Sequence, residues 1–426
     1  MVKIFKISKN EEMKISSKDM HKILSIVPML FIVIGIILDG PVEVFWGMKR
    51  IVLSSSVLIS DFVEIGGLGA SMVNAGILGL LNLLLLHKLD FKMNGSLLAA
   101  YFTVMGFSFF GKNIFNVWPI YLGGLIYSKT QGVSFKNAVL ITMFSTGLAP
   151  IVSEISFGMG YSIPFGISVG MVAGIIIGLV MPALTGNMLK FHNGYNLYNI
   201  GFTAGMLGMV LNAVFKSYGV NIHPEKSIYS GDDTLMLIIF VGLCLLLLAI
   251  GIKINNNSID GYSKIFLYSG RLVTDFTQVI GYGVSFINMG VMGLIAIFYV
   301  KAMGGGMNGA TIAGVMTIIG FGAFGKHPKN SIPLLLGVYI ASLTKIWDVN
   351  STIVIIAGLF STTLAPIAGV YGSFMGLVAG FLHLSIVMNV GYLHGGINLY
   401  NNGFAGGLVA GLMVPVIEEF KRRPEY

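Results

Sequence analysis

The sequence predicts an all-α, polytopic membrane protein built from two homologous repeats that contain broken or re-entrant helices. The first observation is composition: of 426 residues, 55% are hydrophobic and only 10% are charged, against roughly 25% charged in soluble domains. The second is a duplication that covers most of the chain. The third is that several apolar segments are shorter than the ~20 residues that a helix needs to cross the hydrocarbon.

The duplication joins blocks of closely similar sequence in the two halves of the chain. The paired blocks are residues 61–123 with 275–337, which match without a gap, 144–151 with 360–367, and 192–202 with 394–404. In a membrane protein, two such copies are typical of a transporter or channel whose path lies where the copies face each other.

Each repeat is predicted to open with a leader helix, near residues 23–38 and 234–252, followed by a polar or amphipathic connector. Further helices are predicted near 66–87, 95–110, 117–127, 137–155, 163–181 and 197–215, and near 280–300, 309–324, 332–343, 351–370, 372–390 and 399–417. The shortest, 117–127, has Gly111 and Pro119 around its start. We expect a re-entrant element there, which a membrane tolerates only where it is buried in protein or lines a cavity.

The distribution of charged and polar residues divides the chain into five segments. Residues 1–22 form an N-terminal segment, 23–218 the first repeat, 219–233 a polar loop, 234–418 the second repeat and 419–426 a tail. Both ends are basic, with Lys3, Lys6, Lys9, Lys14, Lys18, Lys22, Lys421, Arg422 and Arg423. By the positive-inside rule both ends are cytoplasmic and the number of crossings is even. The net charge of +8 therefore indicates membrane topology and not nucleic-acid binding.

Two resemblances follow from these blocks. The whole chain resembles an uncharacterised, internally duplicated bacterial integral-membrane family, a domain of unknown function. Residues 275–280, continuing to 288–294, resemble the start of a urea-transporter repeat, where a short pore helix leads into an Asn-Pro-x-x-Gly turn. Here Asn74-x-Gly76 and Asn288-x-Gly290 lack the proline, and the Leu-Pro-x-x-Thr-x-Pro-Phe signature of that family is absent.

The urea-transporter resemblance implies inverted halves around a pore, Asn74 and Asn288 near that pore, and a trimer. The bacterial resemblance implies the cytoplasmic (inner) membrane. In each half, a His-x-Gly-x-Asn-Leu-Tyr-Asn-x-Gly-Phe motif stands where the urea-transporter signature would be.

That motif supplies the main candidates for solute contact. Amides and phenols offer hydrogen-bond donors and acceptors without charge, which suits a small polar solute. The candidates are Asn196, Tyr198, Asn199, Asn398, Tyr400 and Asn401, with Phe202 and Phe404 as residues that narrow the path. The alternative is that the polar side chains tie helices together, as they do in membrane bundles.

Lys112 and Lys326 occupy the same place in the two copies. An ammonium at the bilayer centre costs at least about 2.5–3.5 kcal/mol, so a duplicated lysine is expected to face water, a carboxylate or an anion. If both face the centre, an anionic or carbonyl-bearing solute is favoured. The alternative is that each lies at a helix end and snorkels to the interface.

Asp61 and Asp275 precede the first broken helix of each half and are predicted N-caps, with coupling to a proton or sodium ion as the alternative. His192 and His394 are predicted to form hydrogen bonds, because one histidine per half without a nearby carboxylate or cysteine does not indicate a metal site. Motifs that combine a nucleophile with a base are absent from the sequence. We therefore expect no enzyme, no metal and no cofactor.

The sequence thus predicts a channel or transporter for a small polar solute, urea- or amide-like or a small anion, with its path at the repeat interface. One alternative is a secondary carrier of a small carboxylate or anion coupled to H⁺ or Na⁺. A membrane scaffold or assembly protein without transport is the other. The expected partners are the lipid bilayer, the solute and further copies of the chain, with no nucleic acid.

Overall fold

The computed structural model describes residues 16–222 and 227–421. The basic residues behind the predicted cytoplasmic orientation lie mostly outside the described residues: Lys3, Lys6, Lys9, Lys14, Arg422 and Arg423. Four positions of the polar loop, 223–226, also lie outside them. The cytoplasmic location of the two ends stays a prediction.

The described chain folds into eighteen α-helices, nine in each repeat and in the same order. The first repeat contains α1 (Ser17–Leu53), α2 (Phe62–Gly66), α3 (Leu68–Lys88), α4 (Gly95–Phe107), α5 (Trp118–Thr130), α6 (Val139–Ser145), α7 (Pro150–Ser153), α8 (Ile163–His192) and α9 (Asn199–Ser217). The second contains α10 (Thr234–Ile254), α11 (Phe276–Val279), α12 (Tyr282–Ala302), α13 (Gly309–Phe321), α14 (Pro328–Thr344), α15 (Thr352–Ser361), α16 (Ala365–Tyr371), α17 (Ser373–Val390) and α18 (Asn401–Lys421).

Many of these helices are long enough to cross a bilayer. Nine spans in the described residues have the length and apolar character that crossing requires, and a tenth arises if the pair Val139–Leu148 and Pro150–Gly158, bent by 48°, counts as one. Two further apolar helices, α4 and α13, are too short to cross alone. The chain is therefore a polytopic, all-α membrane protein with short internal helices, as the sequence predicts.

The leader helices differ between the repeats. The first, α1, continues through the predicted connector to Leu53 and is kinked at Gly40, which has a φ of 74°. Pro41 follows this glycine and lacks an N–H, so the intrahelical hydrogen bonds are interrupted there. The second, α10, ends at Ile254, and the Asn255 side chain donates to the carbonyls of Ser258 and Asp260. This local bonding competes with the helix and ends it.

Small residues allow equivalent helices to pack closely in each repeat. A Cβ on Gly174 of α8 would lie 2.6 Å from the Cβ of Pro119 in α5. In the second repeat, a Cβ on Gly376 of α17 would lie 3.1 Å from the Cβ of Pro333 in α14. Glycine at these contacts lets the backbones approach, which is how membrane helices gain packing energy.

The repeats meet where elements contact their own counterparts, α4 with α13 and α9 with α18. A Cβ on Gly106, near the end of α4, would lie 2.6 Å from the Cβ of Met316. The equivalent Gly320, near the end of α13, would place its Cβ 2.9 Å from that of Phe102. The start of α13 at Gly309 faces the end of α4. The two short helices are therefore antiparallel and pack through equivalent residues.

Two aspartates, Asp61, which is buried, and Asp275, which is half-buried, connect these short helices across the interface. Asp61 accepts from the N–H of Val63 at 2.9 Å and from that of Gly309, the first residue of α13, at 3.0 Å. Asp275 accepts from the N–H of Thr277 at 3.0 Å and from that of Gly95, the first residue of α4, at 2.9 Å. Each carboxylate caps its own broken helix, as predicted, and also caps a short helix of the other repeat.

Candidate functional site

The chain turns sharply after each of the two short helices, immediately before a lysine. Gly111 and Gly325 both have a φ of 85°, which favours glycine. A Cβ on Gly111 would lie 2.5 Å from a methyl carbon of Leu399, and one on Gly325 would lie 3.0 Å from a methyl carbon of Leu197. Each turn thus receives the leucine of the other repeat's Asn-Leu-Tyr-Asn motif.

The motif loops themselves are exchanged between the repeats. The Leu197 N–H donates to the Thr363 carbonyl at 2.9 Å, and the Leu399 N–H donates to the Gly147 carbonyl, also at 2.9 Å. Thr363 and Gly147 lie at the breaks that follow α15 and α6. The loop that starts α9 is therefore held by the second repeat, and the loop that starts α18 by the first.

This exchange places each lysine against the tyrosine of the opposite repeat. The Lys112 ammonium donates to the Tyr400 hydroxyl, with 2.5 Å between Nζ and Oη. The Lys326 ammonium donates to the Tyr198 hydroxyl, and to the Thr362 hydroxyl at 2.7 Å. Both lysines have 0% of their surface exposed, so neither snorkels within the single chain.

Aromatic rings surround both ammonium groups. Lys112 Nζ lies 4.8 Å from the centre of the Tyr400 ring and 5.4 Å from that of Phe107. Lys326 Nζ lies 4.4 Å from the ring of Tyr198 and 5.0 Å from that of Phe321. A desolvated cation over a ring gains about 2 kcal/mol, which offsets part of the cost of burial.

No carboxylate pairs with either lysine in the part of the chain that the structure describes. Its ion pairs join Lys22 with Asp19, Arg50 with Glu43, and Lys301 with Asp233. The two buried ammonium groups are therefore balanced by hydroxyls and rings instead of by an opposite charge.

A cavity of about 250 Å³ lies at the repeat interface beside these pairs. Ligand pockets are typically roughly 300–1,000 Å³, so this volume suits a small solute. Its wall contains equivalent residues of both repeats: Thr103 and Thr317, Phe107 and Phe321, Phe144 and Phe360, Leu197 and Leu399, Tyr198 and Tyr400, and Gly201 and Gly403. Ser96, Thr185, Asn199 and Asn402 are the other polar residues of the lining, and the surface of the wall is mostly apolar.

Three of the residues predicted from sequence line the cavity, namely Tyr198, Asn199 and Tyr400. Asn401, which is the counterpart of Asn199 in the second motif, does not line the cavity. Its side chain donates to the Val387 carbonyl at 3.3 Å. Asn199 makes the equivalent bond to Thr185 at 3.3 Å and also contacts His192 at 3.0 Å. These bonds tie α9 to α8 and α18 to α17.

The remaining predicted asparagines bind backbone. Asn74 donates to the Ser108 and Lys112 carbonyls at 2.7 and 2.9 Å, and Asn288 to Gly322 and Lys326 at 2.6 and 2.7 Å. Asn196 and Asn398 accept from the N–H groups of Tyr198 and Tyr400 at 3.1 and 3.0 Å. All four are fully buried and outside the cavity wall, so in this structure they shape the loops around the lysines and tyrosines.

Phe202 and Phe404 also lie away from the cavity wall. Their rings stack on each other with centroids 5.9 Å apart, where α9 crosses α18. Phe202 contacts Phe191, and Phe404 contacts His394. The pair fills the interface core in this structure and does not narrow the cavity.

Several lining residues were not predicted. Four of them are phenylalanines in blocks that recur in both halves: Phe107 with Phe321, and Phe144 with Phe360. Their presence in both copies was the one feature of the sequence that could have indicated them. Thr103 and Thr317 are identical at the same offset. An aromatic or threonine in an apolar helix more often packs in a core, and only the interface geometry assigns these to the cavity.

The two ends of the interface are unequal. Val273 at the cavity wall is 79% exposed, whereas its counterpart Ile59 is 4% exposed. Ser96 and Leu140 are half-buried at the same end. Their counterparts Ala310 and Ile356 are 1% and 6% exposed and pack with Ile59, Phe110, Phe360, Leu399 and Tyr400 in one apolar cluster. One end of the pseudo-symmetric interface is open and the other is packed.

The described residues contain no group of three or more histidine, cysteine, aspartate or glutamate side chains placed to hold a metal. His192 is bonded to Asn199 at 3.0 Å, and His383 to Asn402 at 3.1 Å. These imidazoles position two asparagines at the cavity wall, of which Asn199 belongs to the motif and Asn402 follows the motif asparagine Asn401.

The sequence was compared with known protein families. The model of the family described as "Protein of unknown function (DUF1576)" matches residues 40–217 and again residues 254–419. The chain belongs to the DUF1576 family. The two DUF1576 matches fall on the two repeats, which confirms the predicted resemblance to a duplicated, uncharacterised family. No curated protein and no solved structure matches the chain, so the similarity to urea transporters stays a prediction.

Proposed function

We propose that this DUF1576 protein transports a small polar solute through the cavity at the repeat interface. One observation carries the proposal: the cavity wall is formed by equivalent residues of both repeats, including Tyr198 with Tyr400 and Thr103 with Thr317. Transporters with internal repeats hold their solute where the repeats meet, between interrupted helices. The starts of α9 and α18 and the breaks after α6 and α15 provide such interruptions.

Inverted repeats are part of this proposal. Two antiparallel helices that contact through equivalent residues are related by an axis perpendicular to both of them. The contacts of α4 with α13 have this form. With these helices along the membrane normal, the axis lies in the membrane plane, as in a urea-transporter-like arrangement, and Asp61 and Asp275 lie toward opposite faces.

The inequality of the two ends favours a carrier over a continuously open channel. The cavity meets exposed Val273 at one end, while Ile59, Ala310 and Ile356 are packed at the other. In an inverted-repeat carrier, exchanging the conformations of the two repeats would open the packed end and close the open one. The described structure would then be one of two end states.

The setting proposed for this activity is the cytoplasmic membrane of a bacterium, with both chain ends in the cytoplasm and a homo-oligomeric, trimeric assembly. Catalysis is not part of the proposal, because tyrosines are the only titratable side chains among the described residues of the cavity wall.

Modification of the cavity tests the proposal. The only cysteine, Cys244, is buried, so a Cys244→Ala background allows single cysteines to be placed. We expect proteoliposome swelling assays to show protein-dependent flux of at least one of urea, acetamide, acetate or lactate. A sulfonatoethyl thiol reagent on Thr317→Cys should block that flux.

The matched control is Leu245→Cys, whose parent side chain is 54% exposed on the outer surface of α10. Its modification should leave the flux unchanged. Absence of flux for the whole panel, or full flux after complete modification of Thr317→Cys, would contradict a path through this cavity.

A further inference from the structure

The solute class follows from the charges beside the cavity. We propose that the cavity binds an anion, a small carboxylate or inorganic oxoanion, through hydroxyl groups that the two buried lysines polarise. This inference rests on the proposed transport function and adds the chemical class of the solute.

The first observation is the direction of the hydrogen bonds. An ammonium group only donates, so in each pair the phenolic oxygen is the acceptor. Tyr400 accepts from Lys112, and Tyr198 accepts from Lys326. Each phenol keeps its own proton, and the adjacent positive charge makes that proton a stronger donor. Both tyrosines lie in the cavity wall, where an acceptor-rich solute would meet two such donors.

The second observation is independent of the lysines. The first turns of α9 and α18 form part of the wall, through Asn199, Ile200, Gly201, Asn402 and Gly403. N–H groups in the first turn of a helix have no acceptor one full turn back, and the positive end of the helix dipole favours an anion there. Among these residues, the Gly403 N–H already donates to the Tyr400 carbonyl at 2.8 Å. The two helix starts and the two lysines therefore give the cavity a positive electrostatic potential.

While both lysines are protonated, the charge balance also favours an anion. Neither lysine pairs with a carboxylate in the described chain, and the cavity wall there contains no aspartate or glutamate. Buried cations without a counter-charge are costly, and removing that cost adds to the binding of a negative solute. A cation in the same cavity would be repelled by the two ammonium groups, and a neutral amide would gain hydrogen bonds without the attraction between opposite charges.

Thermal unfolding of the purified full-length protein at constant ionic strength tests this assignment. Acetate and inorganic phosphate are compared with acetamide and urea, since acetamide matches acetate in shape but is neutral. A ligand that binds the folded state raises the unfolding temperature with saturation. We expect a saturable rise for at least one anion and none for the two amides.

Variants assign the effect to the lysine–tyrosine pairs. Lys112→Met and Lys326→Met should each abolish the stabilisation by the anion, whereas Lys345→Met is the matched control because Lys345 is bonded to Ser385 outside the cavity wall. Tyr198→Phe and Tyr400→Phe keep the ring and remove the donor, and should weaken anion binding about tenfold or more. If the methionine variants do not fold, Lys→Arg at the same positions should retain binding while the phenylalanine variants lose it.

The inference and the proposed function can fail separately. Stabilisation by acetamide or urea equal to that by acetate, or anion stabilisation that persists in the phenylalanine variants, would overturn the anion assignment. If a neutral solute still crosses and is blocked at Thr317→Cys, transport stands with a different solute class. Neither binding nor flux of any solute in the panel would overturn both.

Discussion

The two buried lysines differ in their hydrogen bonds, and this difference predicts unequal effects of mutation. Lys326 donates to Tyr198 and Thr362, whereas Tyr400 is the one hydroxyl partner of Lys112 among the described residues. Tyr400→Phe leaves Lys112 without a hydroxyl and should lower the free energy of unfolding by about 1–3 kcal/mol. Tyr198→Phe should cost less, because Thr362 remains.

The double variant Lys112→Met/Tyr400→Phe is the control for that ranking. Removing both partners of a buried bond is far less costly than removing one. We expect it to recover most of the stability that Tyr400→Phe loses, by thermal unfolding in detergent. Equal losses in both tyrosine variants without recovery would mean that the tyrosine rings, and not the lysine bonds, set the stability.

Gly111 predicts a second effect at the level of single residues. Its φ is 85°, and an added Cβ would lie 2.5 Å from a Leu399 methyl carbon. Gly132 has a φ of 64° and no atom within 4 Å of an added Cβ. Gly132→Ala therefore carries only backbone strain, of about 1 kcal/mol, whereas Gly111→Ala should cost at least about 1 kcal/mol more and displace the motif loop.

Unfolding temperatures of the two alanine variants check this ranking. Equal decreases in the unfolding temperature of the two variants would show that the contact of the Gly111 turn with the other repeat is unimportant for stability.

The sequence predicted Tyr198, Asn199 and Tyr400 at the cavity but also named asparagines that bind backbone. Both copies have asparagine at this position, Asn74 in one and Asn288 in the other, which indicates that the side chain has the same environment in both. An amide can bond equally well to a backbone carbonyl or to a solute, so the sequence does not distinguish these two partners. The structure shows backbone carbonyls of the lysine turns as the partners. Lining phenylalanines such as Phe107 were missed because an apolar ring is compatible with a core.

At the level of elements, the broken helices are held by Asp61 and Asp275. Asp61 accepts N–H groups from Val63, Gly309 and Tyr229, so it joins α2, α13 and the loop between the repeats. Asp61→Asn replaces one acceptor oxygen with a donor that faces other donors. We expect a loss of about 2–3 kcal/mol in the free energy of unfolding, measured by denaturant titration.

Asp19→Asn is the control for this substitution, because Asp19 is exposed at the start of α1 and its carboxylate accepts from the Ser16 hydroxyl. It should change stability by less than about 0.5 kcal/mol. A similarly small effect of Asp61→Asn would mean that the cap shared between the repeats adds little.

Most helices were predictable because their apolar lengths and the glycines and prolines between them are local features. The short helix α4, for example, follows Asn94, whose side chain caps it at Leu97. The course of α1 was not predictable to the same degree. Gly40 and Pro41 suggest an end, and the helical conformation does break at Gly40, which has a φ of 74°. A second helical segment then runs to Leu53 and packs with the rest of α1 against α2 and α3, and the sequence did not predict this segment.

At the level of the whole molecule, the duplication predicted two equivalent halves, and the contacts of α4 with α13 support the proposal that these halves are inverted. Inverted repeats predict that equivalent loop positions face opposite sides of the membrane. Lys88 and Ala302 are exposed equivalents at the ends of α3 and α12. In the Cys244→Ala background, Lys88→Cys and Ala302→Cys should react with an impermeant thiol reagent from opposite sides of sealed vesicles, near Asp90 and Gly304.

Reaction of both positions from the same side would indicate parallel repeats. The sequence alone could not decide this point, because the antiparallel contact of α4 with α13 depends on residues far apart in the chain, such as Gly106 and Met316.

We propose that the solute crosses the membrane through the repeat interface, along a path that is open at one end at a time. The most direct test of this proposal is the rate at which an impermeant thiol reagent, applied on both sides of the membrane, modifies Val273→Cys and Ile59→Cys in the Cys244→Ala background. These equivalent positions are 79% and 4% exposed in the described state. We expect Val273→Cys to react at least about tenfold faster, and modification of either position to block flux. Equal rates, or modification of both positions with full flux, would contradict the proposal.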